Sequence, residues 1–351
     1  MSAPNEMGYD DASIPSVGMM DMEDAAEIVK TKTDIGPGKS FPEPILRLYP
    51  DSEKNDKAIE KFTQWIDNKL EELIREQSPV LTEWANQEVA YRARSLGPRS
   101  FPFEGACGDV VPLISMAVDP IYARLDVGLF KSDRVIKIKA LRKKMVDKVE
   151  ALETWFDFYY RHYAKLREVM QPRLLEFVKH GTMVLKTVYD DDSFKVQTYD
   201  DQWNVVEKTI TRFKGPRPIG IPLQDFLFSP RYQNVQQCPI IAERQRVTLT
   251  DLYVAQAIGK LTNVDKLEGQ EILDTSVVDS EREIAVDHKK ASLDPDKVTI
   301  YELWCDYDIN GDNLPERLVA TYHKDTRTLL QLRYNWYFHQ RKPYTVIAYQ
   351  G

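Results

Sequence analysis

The stretch Gly97–Phe130, GPRSFPFEGACGDVVPLISMAVDPIYARLDVGLF, decides how this chain is read. Gly97, Pro98, Pro102, Gly105 and Gly108 force repeated turns in quick succession, and Phe101 and Phe103 supply aromatic anchors for such a loop. From Val110 to Val118 there is no charged residue, which predicts a buried helix. Asp109 is placed to cap that helix, and Pro112 fits its first turn, where a missing N–H is no loss. Pro120, directly after Asp119, predicts a kink or a split, so that Ile121–Phe130 leaves at a new angle. The segment reads as a packed hairpin or kinked helix at the centre of a domain, not as a ligand site.

Outward from it, the chain has 351 residues, enough for more than one core, with 42% hydrophobic and 29% charged residues. No run is long and apolar enough for a membrane span, and the acidic, Met-rich start lacks the basic and apolar regions of a signal peptide. Cys107, Cys238 and Cys305 are odd in number and far apart, which argues against a disulfide framework or a zinc site and for a reducing compartment. A net charge of −8 argues against tight, counterion-releasing contact with nucleic acid over the whole surface.

Residues 1–50 read as a disordered acidic tail. Within it Gly36-Pro37-Gly38-Lys39-Ser40 imitates the end of a P-loop, but Thr33 stands where the first glycine belongs and no strand precedes it. Asn55–Gln77 predicts an amphipathic helix facing inward with Ile59, Phe62, Ile66, Leu70, Leu73 and Ile74. Ser78-Pro79 should end it and start another over Val80–Arg94. Val135–Ala140 alternates like a short strand, and Lys143–His180 is helical with a restart at Pro172 and a cap at Gly181. Glu176 and His180 are four apart, yet two ligands make no metal site, and helix-end charge is the simpler reading.

From Thr182 the hydrophobic period becomes two. Met183–Tyr189 and Phe194–Tyr199 predict a hairpin turning at Asp190-Asp191-Asp192, with a third strand over Val205–Phe213 and an extended connector at Gly215-Pro216-Arg217-Pro218. Phe226–Pro230 and Ile240–Val247 predict strands, and Thr248 with Asp251 caps a helix over Leu249–Ile258. Residues 260–297 read as a linker or mobile insert, and Val298–Cys305, Arg317–His323, Thr328–Tyr334 and Tyr344–Tyr349 as a β-meander. Asp306-Tyr307-Asp308-Ile309-Asn310-Gly311 matches half an EF-hand loop, but Arg317 occupies the bidentate glutamate's position, so an Asn-Gly hairpin turn is the expectation. The fold class is α+β: a helical N-terminal half packed on antiparallel hairpins over residues 51–259, then a small β-rich region over 298–351. The chain stops on the strand-like run Thr345–Gly351, which reads as a fragment. No catalytic motif, cofactor fingerprint or metal set emerges among the residues, including His162, His180, His288, His323 and His339.

Several pieces in order carry a resemblance. Arg99–Ala106, RSFPFEGA, followed by Asp109–Ile114, DVVPLI, and Ala117-Val118-Asp119 resembles the loop-and-helix segment of tailed-bacteriophage portal proteins. Phe177–Tyr189, a helix end followed by HGTMVLKTVY, Asp225–Arg246, with DFLFSP followed by AERQRVT and the helix at Asp251, and Tyr301-Glu302-Leu303-Trp304 through Lys342-Pro343-Tyr344 resemble later segments of that family. The motif residues are Gly97, Phe101, Pro102, Phe103, Gly105, Asp109, Pro112 and Asp119.

The resemblance implies a wing-like domain followed by a clip-like region, and a ring of about a dozen copies, a dodecamer, at one capsid vertex. It further implies double-stranded DNA in the channel, docking of the terminase large subunit, the major capsid or scaffolding protein and a head–tail adaptor, and no catalytic residue, cofactor or membrane. Location would be the virion, with assembly in the host cytoplasm. Tyr159–Tyr163 and other aromatics are interface candidates under that reading. Two other readings compete: another head–tail structural or adaptor protein, and a metal-dependent enzyme built from scattered carboxylates.

Overall fold

Phe62, Ile66, Leu70 and Leu73 are all buried on one stripe of a single helix, α1 (Ser52–Tyr91), in a computed structural model of the chain. The structure describes residues 44–46, 52–93, 103–104, 111–131, 136–143, 146–199, 205–232, 234–267 and 297–349, all within one compact unit. The expected break at Ser78-Pro79 does not occur, and α1 runs 40 residues with Pro79 inside. An interior proline costs about 3 kcal/mol. Leu73 and Leu81 are buried on either side of it, worth roughly 1.5–3 kcal/mol each. The Gln77 amide also donates to the Phe226 carbonyl at 2.8 Å, so tertiary contacts hold the helix on both sides of the proline.

The next helices are α2 (Leu113–Phe130), α3 (Val146–Phe158) and α4 (Leu166–His180). α2 is continuous through Pro120, against the expected split. The strand expected at Val135–Ala140 is absent from its described part, 136–140, where the Ile138 amide donates to the Glu153 carboxylate instead of to a strand. Between α3 and α4 the chain makes a π-helical turn, Tyr159–Tyr163, and restarts at Lys165 with φ 46, whereas Pro172 lies inside α4. Tyr159 fixes that turn: its hydroxyl donates to the Pro216 carbonyl and its ring lies against Phe213. Gly215 has no side chain where this hydroxyl approaches, since a Cβ would lie 2.9 Å from it. Gly181 caps α4 as expected, with φ 73 and its amide 2.8 Å from the Phe177 carbonyl.

The strands are β1 (Thr182–Tyr199), β2 (Val205–Ile221), β3 (Phe226–Phe228), β4 (Ile240–Thr248), β5 (Lys297–Tyr307), β6 (Glu316–His323), β7 (Thr328–Tyr334) and β8 (Tyr344–Ala348). One antiparallel sheet has the order β3-β4-β5-β6-β7 and the other β2-β1-β8. Three expectations change. Asp190–Asp192 is not a turn but part of β1, because β2 sets Arg217 2.9 Å from Asp190 and Lys214 3.0 Å from Asp191. Gly215–Pro218 is part of β2, and β8 leaves the meander to pair with β1. Strands from both sides of the 260–297 stretch share the five-stranded sheet. Thr248 caps α5 (Leu249–Ala257) as expected, accepting from the Asp251 amide at 3.2 Å and donating to its carboxylate at 2.7 Å. Pro44–Leu46, expected in the disordered tail, instead runs beside β7, with Ile45 bridging Leu332.

Strand alternation gives the five-stranded sheet two apolar faces. Ala242, Leu303, Leu318 and Ala320 pack with α1, while Ile241, Trp304 and Val319 on the other face pack with Val184, Ile221 and Tyr344 of the three-stranded sheet. A third cluster seats α5 on Val298, Ile300 and Leu330. Between the sheets lies Lys186, whose Nζ is 2.6 Å from Glu243 and 2.8 Å from Glu302. Tyr344 donates to Glu243 at 2.6 Å, and the Trp304 indole donates to Glu302 at 2.8 Å. Burial alone would lower the Lys186 pKa, but the two carboxylates outweigh it and hold the ammonium above its ordinary value.

Lys186→Met leaves two carboxylates buried without their cation and should cost about 3–5 kcal/mol in urea unfolding. Adding Glu243→Gln and Glu302→Gln should recover most of that loss. His180, its ring tilted against Trp84 and 2.8 Å from Gln87, is held down to about 4 by burial and then by the Lys179 charge. The unfolded imidazole, near 6.5, binds more protons in between, so its contribution is complete above about pH 6.5 and is lost as pH falls toward 4. The urea midpoint of His180→Gln should therefore fall less steeply over that window than that of the unsubstituted chain.

Candidate functional site

The loop half of the portal-like motif, Gly97, Phe101, Pro102, Gly105 and Asp109, lies outside the described residues, as do Cys107 and the P-loop-like run. Phe103 is exposed and anchors no core. Pro112 stands at the N-cap position of α2, one residue before the helix rather than inside its first turn. Asp119 accepts a hydrogen bond from the Tyr91 hydroxyl at 2.7 Å, which ties α2 to α1 and raises the Tyr91 pKa to about 12.

α2 itself is not the buried core helix that its composition suggests. Its inward stripe is Ser115, Val118, Tyr122, Leu125, Asp126 and Phe130, and only Asp126 is buried. Asp126 accepts from Arg167 at 2.7 Å and from Gln171 at 3.3 Å, both on α4. The Arg167 hydrogen bond holds its carboxyl below the ordinary carboxylate range. The outward side is mostly apolar, with Leu113 67% exposed, Met116 66%, Ile121 49% and Val127 50%, and with Asp119 and Arg124 exposed among them. The inward stripe is mixed, with Ser115 and Asp126 among apolar residues that are only partly buried, while large apolar side chains face out, against the pattern of a surface helix. Each such side chain gains roughly 1.5–3 kcal/mol on full burial, so these four leave several kcal/mol unrealised in the isolated chain.

The aromatic turn expected at an interface is divided. Tyr159 is buried within the chain, while Tyr163 stays exposed. Glu176 pairs with Arg173 at 2.7 Å, and His180 faces Gln87, so these two serve packing contacts. In the β5–β6 loop Asp308, Asp312 and Glu316 bring carboxylate oxygens within 4.8 Å of one another. Asp308 accepts from the amides of Gly311, Asp312 and Asn313 at 2.6, 3.2 and 2.8 Å, which is a turn cap. Asp306, the first residue of the EF-hand-like match, lies 3.6 Å from Lys342 instead.

Large apolar side chains exposed in this number on one helix are the kind of surface that another macromolecule covers, and together with the α+β fold they fit a component of an assembly. The family described as Phage SU10 portal protein matches residues 45–350, and the chain belongs to this portal family. No curated protein matches it. Among the described residues no helix is long and apolar enough to cross a membrane.

Sequence reasoning found α2 but placed it in the core. The signal it held was a helix apolar on nearly every face with one acidic residue, Asp126, on the stripe that turns inward. Met116→Asp and Ile121→Asp together should leave the urea stability of the unassembled chain within about 0.5 kcal/mol per substitution, since both side chains are exposed. Fluorescence of an apolar dye should fall. A loss of several kcal/mol would show that the face is packed within the chain.

Proposed function

We propose that copies of this chain close into a ring of about a dozen subunits at one capsid vertex, through which double-stranded DNA is packaged and later ejected. The observation that carries the reading is the outward apolar face of α2 in a chain of the portal family, a surface that needs a neighbour to cover it. The finer assignments accompany it: the terminase large subunit, the major capsid or scaffolding protein and a head–tail adaptor dock on the ring, in the virion and, during assembly, in the host cytoplasm. The role is structural, with DNA translocation powered by the terminase rather than by residues of this chain.

The charge balance supports passage of DNA. A net charge of −8 supplies no strong basic field, and each neutralised phosphate would add salt-sensitive grip that opposes sliding. Electron microscopy of the purified chain should show rings of about a dozen subunits around a central hole. Monomers or trimers without a pore would overturn the proposal and favour another head–tail component.

A further inference from the structure

β1 is 18 residues long, about 60 Å of extended chain, and only its first half rests on the core. Val184 and Lys186 face the five-stranded sheet. Beyond a register shift at Asp192/Ser193, β1 and β2 continue as a two-stranded arm paired from Ser193↔Thr211 to Tyr199↔Val205. Alternation carries the core-facing side of β1 outward to Phe194 and Val196, opposite Ile210 and Lys208, with Val206 beyond them. Phe194, Val206 and Ile210 are exposed, and the Arg212 guanidinium lies 4.8 Å from the centre of the Phe194 ring. The other side carries Ser193, Gln197, Glu207, Thr209 and Thr211, with Val205 as its apolar residue at the tip. The arm is therefore amphipathic, and a two-stranded ribbon is at best marginally stable in water unless something covers its apolar side.

The chain's own α2 is kept away from it. α4 directs Arg167 and Gln171 to Asp126 of α2, while Val169 and Arg173, half a turn around the helix, close on Gly220 of β2. A Cβ on Gly220 would lie 2.7 Å from the Arg173 Cγ, so the hairpin base is seated directly on α4. α2 and the hairpin thus occupy opposite sides of one helix. Each leaves an apolar stripe open, and two different patches on separate flanks are what a heterologous, ring-closing contact uses. Lys208 and Arg212 accompany the arm's stripe, and α2 exposes Arg124 as well as Asp119, so the contact would rest on apolar burial and not on charge matching.

We infer that the apolar side of the β1–β2 arm of one subunit lies across the outward face of α2 in a second copy of this chain, Phe194, Val206 and Ile210 covering Met116 and Ile121. The inference rests on the ring proposed above, and names the surfaces that join its subunits.

The test uses the full chain with Cys107→Ser, Ile210→Cys and Met116→Cys, since Cys238 and Cys305 are buried. Rings verified by electron microscopy are treated with a short bismaleimide and run on a denaturing gel. A ladder of covalent multimers from the double-cysteine chain, and none from either single-cysteine chain, is the expected result. Should the double-cysteine chain fail to assemble, Val206→Cys with Ile121→Cys is the second pair. Rings that give no ladder with an assembling pair, or a ladder from a single cysteine, would overturn the arm contact and leave the ring standing. An unsubstituted chain that forms no ring would overturn both. In parallel, Phe194→Asp should lower the ring fraction at least tenfold with the melting temperature of the unassembled chain unchanged. Full assembly of that variant would count against the contact.

Discussion

The ion cluster around Lys186 fixes how the two sheets of this protein meet. Lys186 belongs to the three-stranded sheet, and Glu243 and Glu302 to neighbouring strands of the five-stranded one, so the ammonium crosses the gap between layers. One cation between two carboxylates leaves an excess of negative charge, and the surrounding donors spread it: the Tyr344 hydroxyl on Glu243 and the Trp304 indole on Glu302. Burial raises the Tyr344 pKa, and the two carboxylates add to that, so its phenol stays a donor. Apolar contacts such as Val184 against Trp304 tolerate sliding, whereas hydrogen-bonded charges with little solvent do not. The cluster therefore selects one register between the sheets.

That register determines where the rest of the hairpin goes. β1 passes from the cluster outward through Asp190 and Asp191, whose charges are matched across the ribbon by Arg217 and Lys214. Tyr159 clamps the ribbon near its middle through Phe213 and the Pro216 carbonyl. α4 lies beneath the hairpin base and separates it from α2, which it holds through the Asp126–Arg167 pair. The strongest polar contact of α2 thus points into the chain, while many of its large apolar side chains point out. For a chain meant to remain alone this would be a solubility hazard, whereas for a member of a portal family it is the expected surface of a subunit.

Much of the local structure was legible because its causes are local. The Thr248/Asp251 capping pair, the Gly181 cap and the Phe62–Leu73 stripe each arise from side chains within a turn or two of one another. The proline positions were misread for the complementary reason. Pro79, Pro120 and Pro172 each remove one hydrogen bond, a local penalty, but the helices continue where contacts from distant segments exceed it, as the Gln77 amide on Phe226 does beside Pro79. Asp190–Asp192 looked like a turn because three adjacent acidic residues repel one another, and the cations that pair with Asp190 and Asp191 in the ribbon are more than twenty residues on.

The sequence by itself determined the fold class, most strand and cap positions, and the portal family resemblance, since these rest on periodicity and short motifs. Tertiary structure alone decided that β8 joins β1, that strands flanking 260–297 share one sheet, and that α2 turns its apolar side outward. Composition records how apolar a helix is but not which neighbour receives it. For α2 the direction was set by one buried carboxylate, Asp126, and its partner Arg167 41 residues away.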